Sequence, residues 1–226
     1  MSKPRAAISW SGGKDCCTAL LRSGDDLDVV AMLTMFGEDG ERSRSHGLRP
    51  DVIAAHAARL GMESLSTRCS WDSYTDQYVR LLGQLAEREV THVVFGDIMG
   101  DAHRAWNLQV CAHHGLTPVM PLWGQPTAGL AREFIACGGD AMLVTVRPPL
   151  LDESWLGVRL TGEALTRIEE LGVDPCGEFG EYHTVVTDCP RFSSPMGLIP
   201  GQHVFRGGCW AMDFSLACDS LGAPPA

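Results

Sequence analysis

Several things are scarce or missing in this sequence, and each shortage removes a class of function. No run approaches the roughly 18 apolar residues of a membrane span. The amino terminus, MSKPRAAISW, lacks the architecture of a signal peptide. The nine cysteines are odd in number, follow no regular spacing and include no C-x-x-C pair. A disulfide framework, a zinc ribbon and a thioredoxin-type redox pair are therefore not expected. Basic residues are few, 18 Lys and Arg against 28 Asp and Glu, for a net charge of −10. That balance argues against sequence-independent binding of nucleic acid, which needs a basic face. There is no internal repeat and no low-complexity segment. The expectation is an acidic protein of the reducing cytoplasm, without membrane or nucleic-acid partners.

What is present points to one large domain or a main domain with a smaller companion. The chain has 226 residues, 45% hydrophobic and 20% charged, ordinary for a globular protein able to bury a sizeable core. Apolar runs of strand type alternate with helical patterns. Strands are expected at 6–8, 28–36, 63–69, 93–95 and 117–122, and helices at 16–21, 51–60, 73–89 and 102–114. Such alternation predicts an α/β fold with a parallel sheet of about five strands covered by helices on both faces. Ligands of such sheets sit at the carboxyl ends of the strands. The character changes after Gly124-Gln125-Pro126. A helix at 130–137, a strand at 141–146 and a helix at 161–171 follow, then a loop-rich tail. The predicted units are residues 1–125 and a smaller α+β unit, 126–226, whose last residues, Gly222-Ala223-Pro224-Pro225, are expected to fray.

The chemistry concentrates in a few stretches. ISWSGGKDCCTALL (8–21) reads strand, tight glycine turn, helix start. Gly12 and Gly13 permit left-handed backbone, and their amides with those of the first helical turn can converge on an anion. Lys14 adds a point charge suited to phosphate, and Ser11 can cap the turn or donate its hydroxyl. An ordinary strand–helix turn is the competing reading. The loop is not a Walker A motif, since G-x-x-x-x-G-K-[ST] is absent.

His46, in Ser45-His46-Gly47, follows a predicted strand end; it is either near the crevice or a surface-loop histidine. Asp97, in Gly96-Asp97-Ile98, stands at a strand's carboxyl end, placed for a ribose, a substrate amine or Mg²⁺, or else capping the next helix. Trp123 either closes the core or meets a ligand. GEFGEYHT (177–184) packs Glu178, Glu181, Tyr182, His183 and Thr184 into a glycine-broken loop. Charges so dense are poor core material. An exposed turn is the alternative, made less apt by Phe179 and Tyr182.

SGGKD resembles the pyrophosphate-binding S-G-G-x-D-S loop of the adenine nucleotide α-hydrolase superfamily. SGGKD, His46, GDI (96–98), PLW (121–123), WLG (155–157) and GEFGEYHT occur together in the order seen in the diphthine–ammonia ligase family, the ATP-binding-domain-4 group of that superfamily. The resemblance runs from about Ala6 to Phe192, and the last motif is its most specific part. It implies an α-hydrolase-like (HUP-type) ATP domain followed by a smaller domain carrying GEFGEYHT. It implies that Mg-ATP adenylates a carboxylate, pyrophosphate leaves and ammonia attacks to form an amide. The family's substrate is diphthine on elongation factor 2, which carries a trimethylammonium and a carboxylate.

On that resemblance Ser11, Gly12, Gly13, Lys14, Asp15, Cys16 and His46 bind ATP, with Asp15 touching Mg²⁺. Lys14, Asp97, Glu178, Glu181 and His183 are the catalytic candidates. Trp123 or Tyr182 would add a cation–π contact. This chain departs from the family in having Cys16 where the loop ends in serine, a weaker donor to phosphate. The sequence ends soon after the family domain, so the extra domains of longer eukaryotic relatives are not expected here. Two other readings use the same loop: a tRNA-thiolating, sulfur-transferring enzyme, to which Cys16 or Cys17 would lend itself, and a non-catalytic nucleotide-binding module.

Overall fold

The computed structural model describes residues 2–217. The expected frayed end, Gly222 to Pro225, lies outside the described residues. The first layer is a five-stranded parallel sheet of β1 (Arg5–Ser9), β2 (Asp28–Phe36), β3 (Glu63–Arg68), β4 (His92–Val94) and β5 (Thr117–Val119), in the order β3-β2-β1-β4-β5. Ala6, Ala7 and Ile8 of β1 are fully buried, as a central strand covered on both faces requires. α1 (Lys14–Ser23) and α2 (Pro50–Leu60) pack on one face through Cys17, Leu20, Val52 and Ile53. α3 (Tyr74–Ala86) and α4 (Asp101–Ala112) cover the other through Tyr78, Leu82, Leu85 and Val110. The strand order reverses at β1, whose neighbours β2 and β4 lead away on opposite sides. The carboxyl ends of β1 and β4 therefore border a crevice of the kind where open parallel sheets bind ligands.

The second half holds α5 (Thr127–Ala136), β6 (Asp140–Val146), α6 (Gly162–Glu170), β7 (Tyr182–Asp188), β8 (Leu198–Arg206) and β9 (Cys209–Leu216). Its strands form an antiparallel sheet ordered β7-β6-β9-β8. Thr161 caps α6 by accepting from the Ala164 amide at 3.2 Å. The loop-rich tail expected from the sequence is corrected here, since it contributes three strands. Pro200 disguised β8, but β8 is an edge strand, and an edge tolerates a residue without an N–H. GEFGEYHT is likewise divided: a loop as far as Glu181, then the start of β7 at Tyr182.

The two sheets share one apolar core. A single cluster runs from Ile8 and Leu20 through Leu130 and Phe134 to Val144, Val186 and Phe214. Arg22 of α1 pairs with Glu133 of α5 at 2.5 Å, fixing α5 to the first layer. The outer edge of β7, which would otherwise present unpaired main-chain groups, is taken up by the parallel half. The Val186 amide donates to the Gly12 carbonyl at 2.9 Å. His56 Nε2 meets the Val186 carbonyl at 2.8 Å, while Trp10 Nε1 donates to His56 Nδ1 at 3.1 Å. The indole bond leaves the His56 hydrogen on Nε2, so that ring bridges the two halves as a neutral donor–acceptor. No helix among the described residues is long and apolar enough to cross a membrane.

Candidate functional site

A cavity of about 350 Å³ opens where β1 and β4 end and β7 begins, lined among others by Ser11, Lys14, Asp15, Cys16, His46, Asp97, Glu178 and His183. Its size falls in the range typical of small-molecule sites.

One wall is the glycine loop. Gly12 takes the left-handed backbone (φ +85°), while Gly13 is extended and caps α1. Gly13 is required for space rather than for conformation: a Cβ there would fall 2.2 Å from His46 Cε1. The closeness of that contact shows how tightly His46 is laid on the loop. Ser11 Oγ accepts from the Gly13 amide at 3.2 Å and donates to Cys16 Sγ at 3.3 Å. Cys16 Sγ in turn donates to the Gly13 carbonyl at 3.0 Å, so the thiol closes the turn. Burial pushes this thiol upward, beyond what its bond from Ser11 offsets.

Lys14 is one of only two lysines in the chain and is 2% exposed. Its Nζ donates to Asp15 Oδ2 at 2.8 Å and to the Cys176 carbonyl at 2.5 Å, and lies 5.1 Å from the Tyr182 ring centroid. Burial opposes the charge, but the Asp15 carboxylate, with Tyr182 and Cys176 beside it, outweighs that effect and the ammonium persists. The Lys14 amide donates to Thr184 Oγ1 at 3.1 Å. The first turn of α1 is thus held by both main-chain and side-chain bonds to the second half.

His46 and His183 stack, with centroids 4.6 Å apart and planes 25° apart. His46 Nδ1 contacts the Thr184 carbonyl at 2.7 Å; since that oxygen only accepts, Nδ1 carries the hydrogen and Nε2 is bare. Burial lowers His46 to about 4, and burial together with the neighbouring His46 lowers His183 to about 3. Both rings are neutral at physiological pH. Glu178 stands in the same wall with its carboxyl raised to about 7, chiefly by burial and then by the nearby Asp15 charge. It is therefore divided between acid and carboxylate near neutrality.

The structure separates the remaining candidates. Glu181 is not in the cavity wall: its carboxylate accepts from the amides of Asp174 at 3.3 Å and Phe179 at 2.9 Å, tying its own loop. Glutamate turning back to satisfy turn amides is a role sequence cannot distinguish from an active-site one. Trp123 is also outside the wall and stacks under Arg104 at 5.6 Å. Tyr182, the other aromatic candidate, does line the cavity, its hydroxyl donating to the Pro175 carbonyl at 2.5 Å. Asp97 lines it as well; its Oδ2 accepts from Asn107 Nδ2 at 2.9 Å, and its Oδ1 stands 3.3 Å from His103 Nδ1. Lining residues that the sequence reading passed over include Arg44, Tyr74, His103 and Cys176. Cys176 acts through its carbonyl, for which no residue type is a signal; His103 carried one, a histidine one turn into the helix after GDI.

The donors that suit a nucleotide phosphate are the buried Lys14 ammonium and the Ser11 hydroxyl; the bare Nε2 of His46 is an acceptor and faces a donor of the ligand instead. No group of three or more metal-ligating side chains occurs among the described residues. Asp15, with one oxygen on Lys14, suits an ion that brings most of its own ligands, as Mg²⁺ on a nucleotide does. Cys16 and Cys17 are both buried thiols pushed upward in pKa, and so are poor carriers of transferable sulfur.

Two family models match the chain. Residues 4–118 match the diphthamide synthase N-terminal domain, and residues 126–207 the diphthamide synthase C-terminal domain. A diphthine–ammonia ligase of Rattus norvegicus is 30% identical over 215 residues, covering 83% of this chain and 80% of that protein. One of Homo sapiens is 28% identical over 214 residues, with the same coverage. A solved structure described as a predicted subunit of tRNA methyltransferase from Methanocaldococcus jannaschii aligns with 83% of this chain and 98% of its own, at 15% identity and a TM-score of 0.44, a likeness too slight to carry an argument.

Proposed function

The chain belongs to the diphthamide synthase family, and from that premise we propose that it is an ATP-dependent ligase that converts a carboxylate into an amide with ammonia, as its diphthine–ammonia ligase relatives are named for doing. The observation that carries this reading is the meeting of the two halves at Lys14: the glycine loop and the loop preceding β7 hold one buried ammonium between them. A parallel-sheet half, residues 1–125, carries the nucleotide, and residues 126–226 carry the acceptor.

Ser11, Gly12, Gly13, Lys14, Cys16 and His46 hold ATP, with the Lys14 ammonium on the departing pyrophosphate, where fixed positive charge favours the transition state. Asp15 would hold Mg²⁺, which would neutralise charge on the phosphates. The acceptor carboxylate attacks the α-phosphorus, giving an acyl adenylate and pyrophosphate; ammonia then displaces AMP. Glu178 and His183 face the acceptor, and the Glu178 carboxylate attracts ammonium. Glu181 contributes by holding that loop in shape. The acceptor is diphthine on elongation factor 2, and the compartment is the cytoplasm.

The test is pyrophosphate release from Mg-ATP with ammonium and elongation factor 2 carrying diphthine. Release of AMP and pyrophosphate with a matching gain of amide supports the assignment. ATP binding without release would make the chain a nucleotide-binding module instead.

A further inference from the structure

Ammonium dominates over ammonia at neutral pH, so amide formation needs a group to take a proton from the incoming nitrogen. His183, the imidazole suggested by the sequence, is badly suited: it is stacked face to face on His46 and burial holds its pKa near 3. The cavity wall contains a third imidazole in a different setting. His103, on the first turn of α4, is 73% exposed, and its Nδ1 lies 3.3 Å from Asp97 Oδ1. Asp97 is itself fixed from behind by Asn107, which is 2% exposed and donates to Oδ2 at 2.9 Å. A buried amide thus orients a carboxylate, and an imidazole stands beside it. The tautomer that turns its Nδ1 hydrogen to Asp97 leaves Nε2 bare and free to take a proton. The other charged groups of this wall are Arg44 from the β2–α2 loop, Lys14 and Asp15 from α1, and Glu178 from the loop before β7.

We propose that His103, held by Asp97, is the proton acceptor for the nitrogen nucleophile, an assignment that rests on the ligase reading above. Ammonium gives one proton to His103 Nε2. The freed lone pair forms the new N–C bond while the acyl C–O bond to AMP breaks, and the nitrogen sheds its second excess proton to water. Asp97 is a positioning residue. It sets the tautomer and steadies the imidazolium, and its own oxygens stay on His103 and Asn107.

The experiment compares two nitrogen donors on the full chain with Mg-ATP and diphthine-bearing elongation factor 2. Ammonium must lose a proton before it attacks, whereas hydroxylamine is already unprotonated at neutral pH. His103→Gln is expected to lower ammonium-dependent amide formation by roughly 10²-fold while hydroxamate formation stays near wild type. The deficit should shrink as pH rises and free ammonia accumulates. Asp97→Asn should show the same donor-selective pattern. Equal losses with both donors would overturn the assignment and leave His103 a structural residue. A wild-type chain that forms amide with neither donor overturns the ligase reading, and this proposal with it. Long-range ¹H–¹⁵N correlation on the wild-type imidazole gives a readout independent of activity: the Nδ1–H tautomer is expected, redistributed in Asp97→Asn, and an Nε2–H tautomer in the wild type would overturn the proposal.

Discussion

Lys14 Nζ and the Cys176 carbonyl lie 2.5 Å apart, across 162 residues of sequence. That bond brings the charge of the glycine loop to the rim of the acceptor loop, and it makes Lys14 the first residue to test. Lys14→Met keeps an apolar stem and removes the charge. ATP affinity by calorimetry should fall by on the order of 1–3 kcal/mol, the scale of a hydrogen bond to a charged group. Unchanged affinity would place the nucleotide elsewhere.

Cys16→Ser tests the substituted end of the loop. The thiol accepts from Ser11 and donates to the Gly13 carbonyl, and a hydroxyl can do both. Pyrophosphate release in the serine variant should equal or exceed wild type. Because burial pushes the thiol upward, thiolate chemistry is disfavoured. Abolished turnover in Cys16→Ser would show that the sulfur itself reacts.

Glu178 sets a pH dependence. Its carboxyl is raised to about 7 by burial and the Asp15 charge, so it is mostly protonated below that pH and gains charge above it. Amide formation should climb through pH 7 as the carboxylate forms and attracts ammonium. Glu178→Gln should bind ATP normally, lose roughly 10²-fold in amide formation and lose the step near pH 7. A variant with wild-type rate and wild-type pH profile would remove Glu178 from the mechanism. The same raised pKa means the folded state binds the proton more tightly than the unfolded chain. Its contribution to stability is full below the ordinary glutamate range and is lost as pH rises through about 7.

The stacked histidines act in the opposite direction. Lowered to about 4 and 3, they bind protons less well in the folded chain than in the unfolded one. Stability is full above the ordinary histidine value and falls as pH drops from about 6.5 towards 4. His183→Phe keeps an aromatic face against His46 and removes one titration. Its urea midpoint, followed by circular dichroism, should fall less between pH 7 and 4 than that of wild type. Parallel curves would mean that His183 is not buried as a neutral ring.

Much of the architecture was legible because its signals are local. Central strands such as Ala6-Ala7-Ile8 are unbroken apolar runs, and the stripe Tyr78, Leu81, Leu82 and Leu85 has helical period. β8 was hidden by Pro200 and by its exposed side chains, which carry no alternation. The site was legible in residue types and opaque in pairings. The sequence marks Glu178 and Glu181 equally, yet only Glu178 lines the cavity, because Glu181 meets the turn amides of its own loop. Asp97 and His103 are six positions apart across a strand end and a helix start, and only the Gly100 turn between them sets one against the other.

The seam along β7 bears on how this chain can be divided. Val186 and Thr184 have their main-chain groups answered by Gly12, His56 and His46. Severed near Pro126 and produced as an isolated polypeptide, the carboxyl-terminal piece would carry β7 as a raw margin, open to strand addition by other molecules. The amino-terminal piece would keep its glycine loop but lose the carbonyl and hydroxyl that set Lys14 in place. Nucleotide site and acceptor site are in that sense a single inheritance: neither piece retains a complete copy of either.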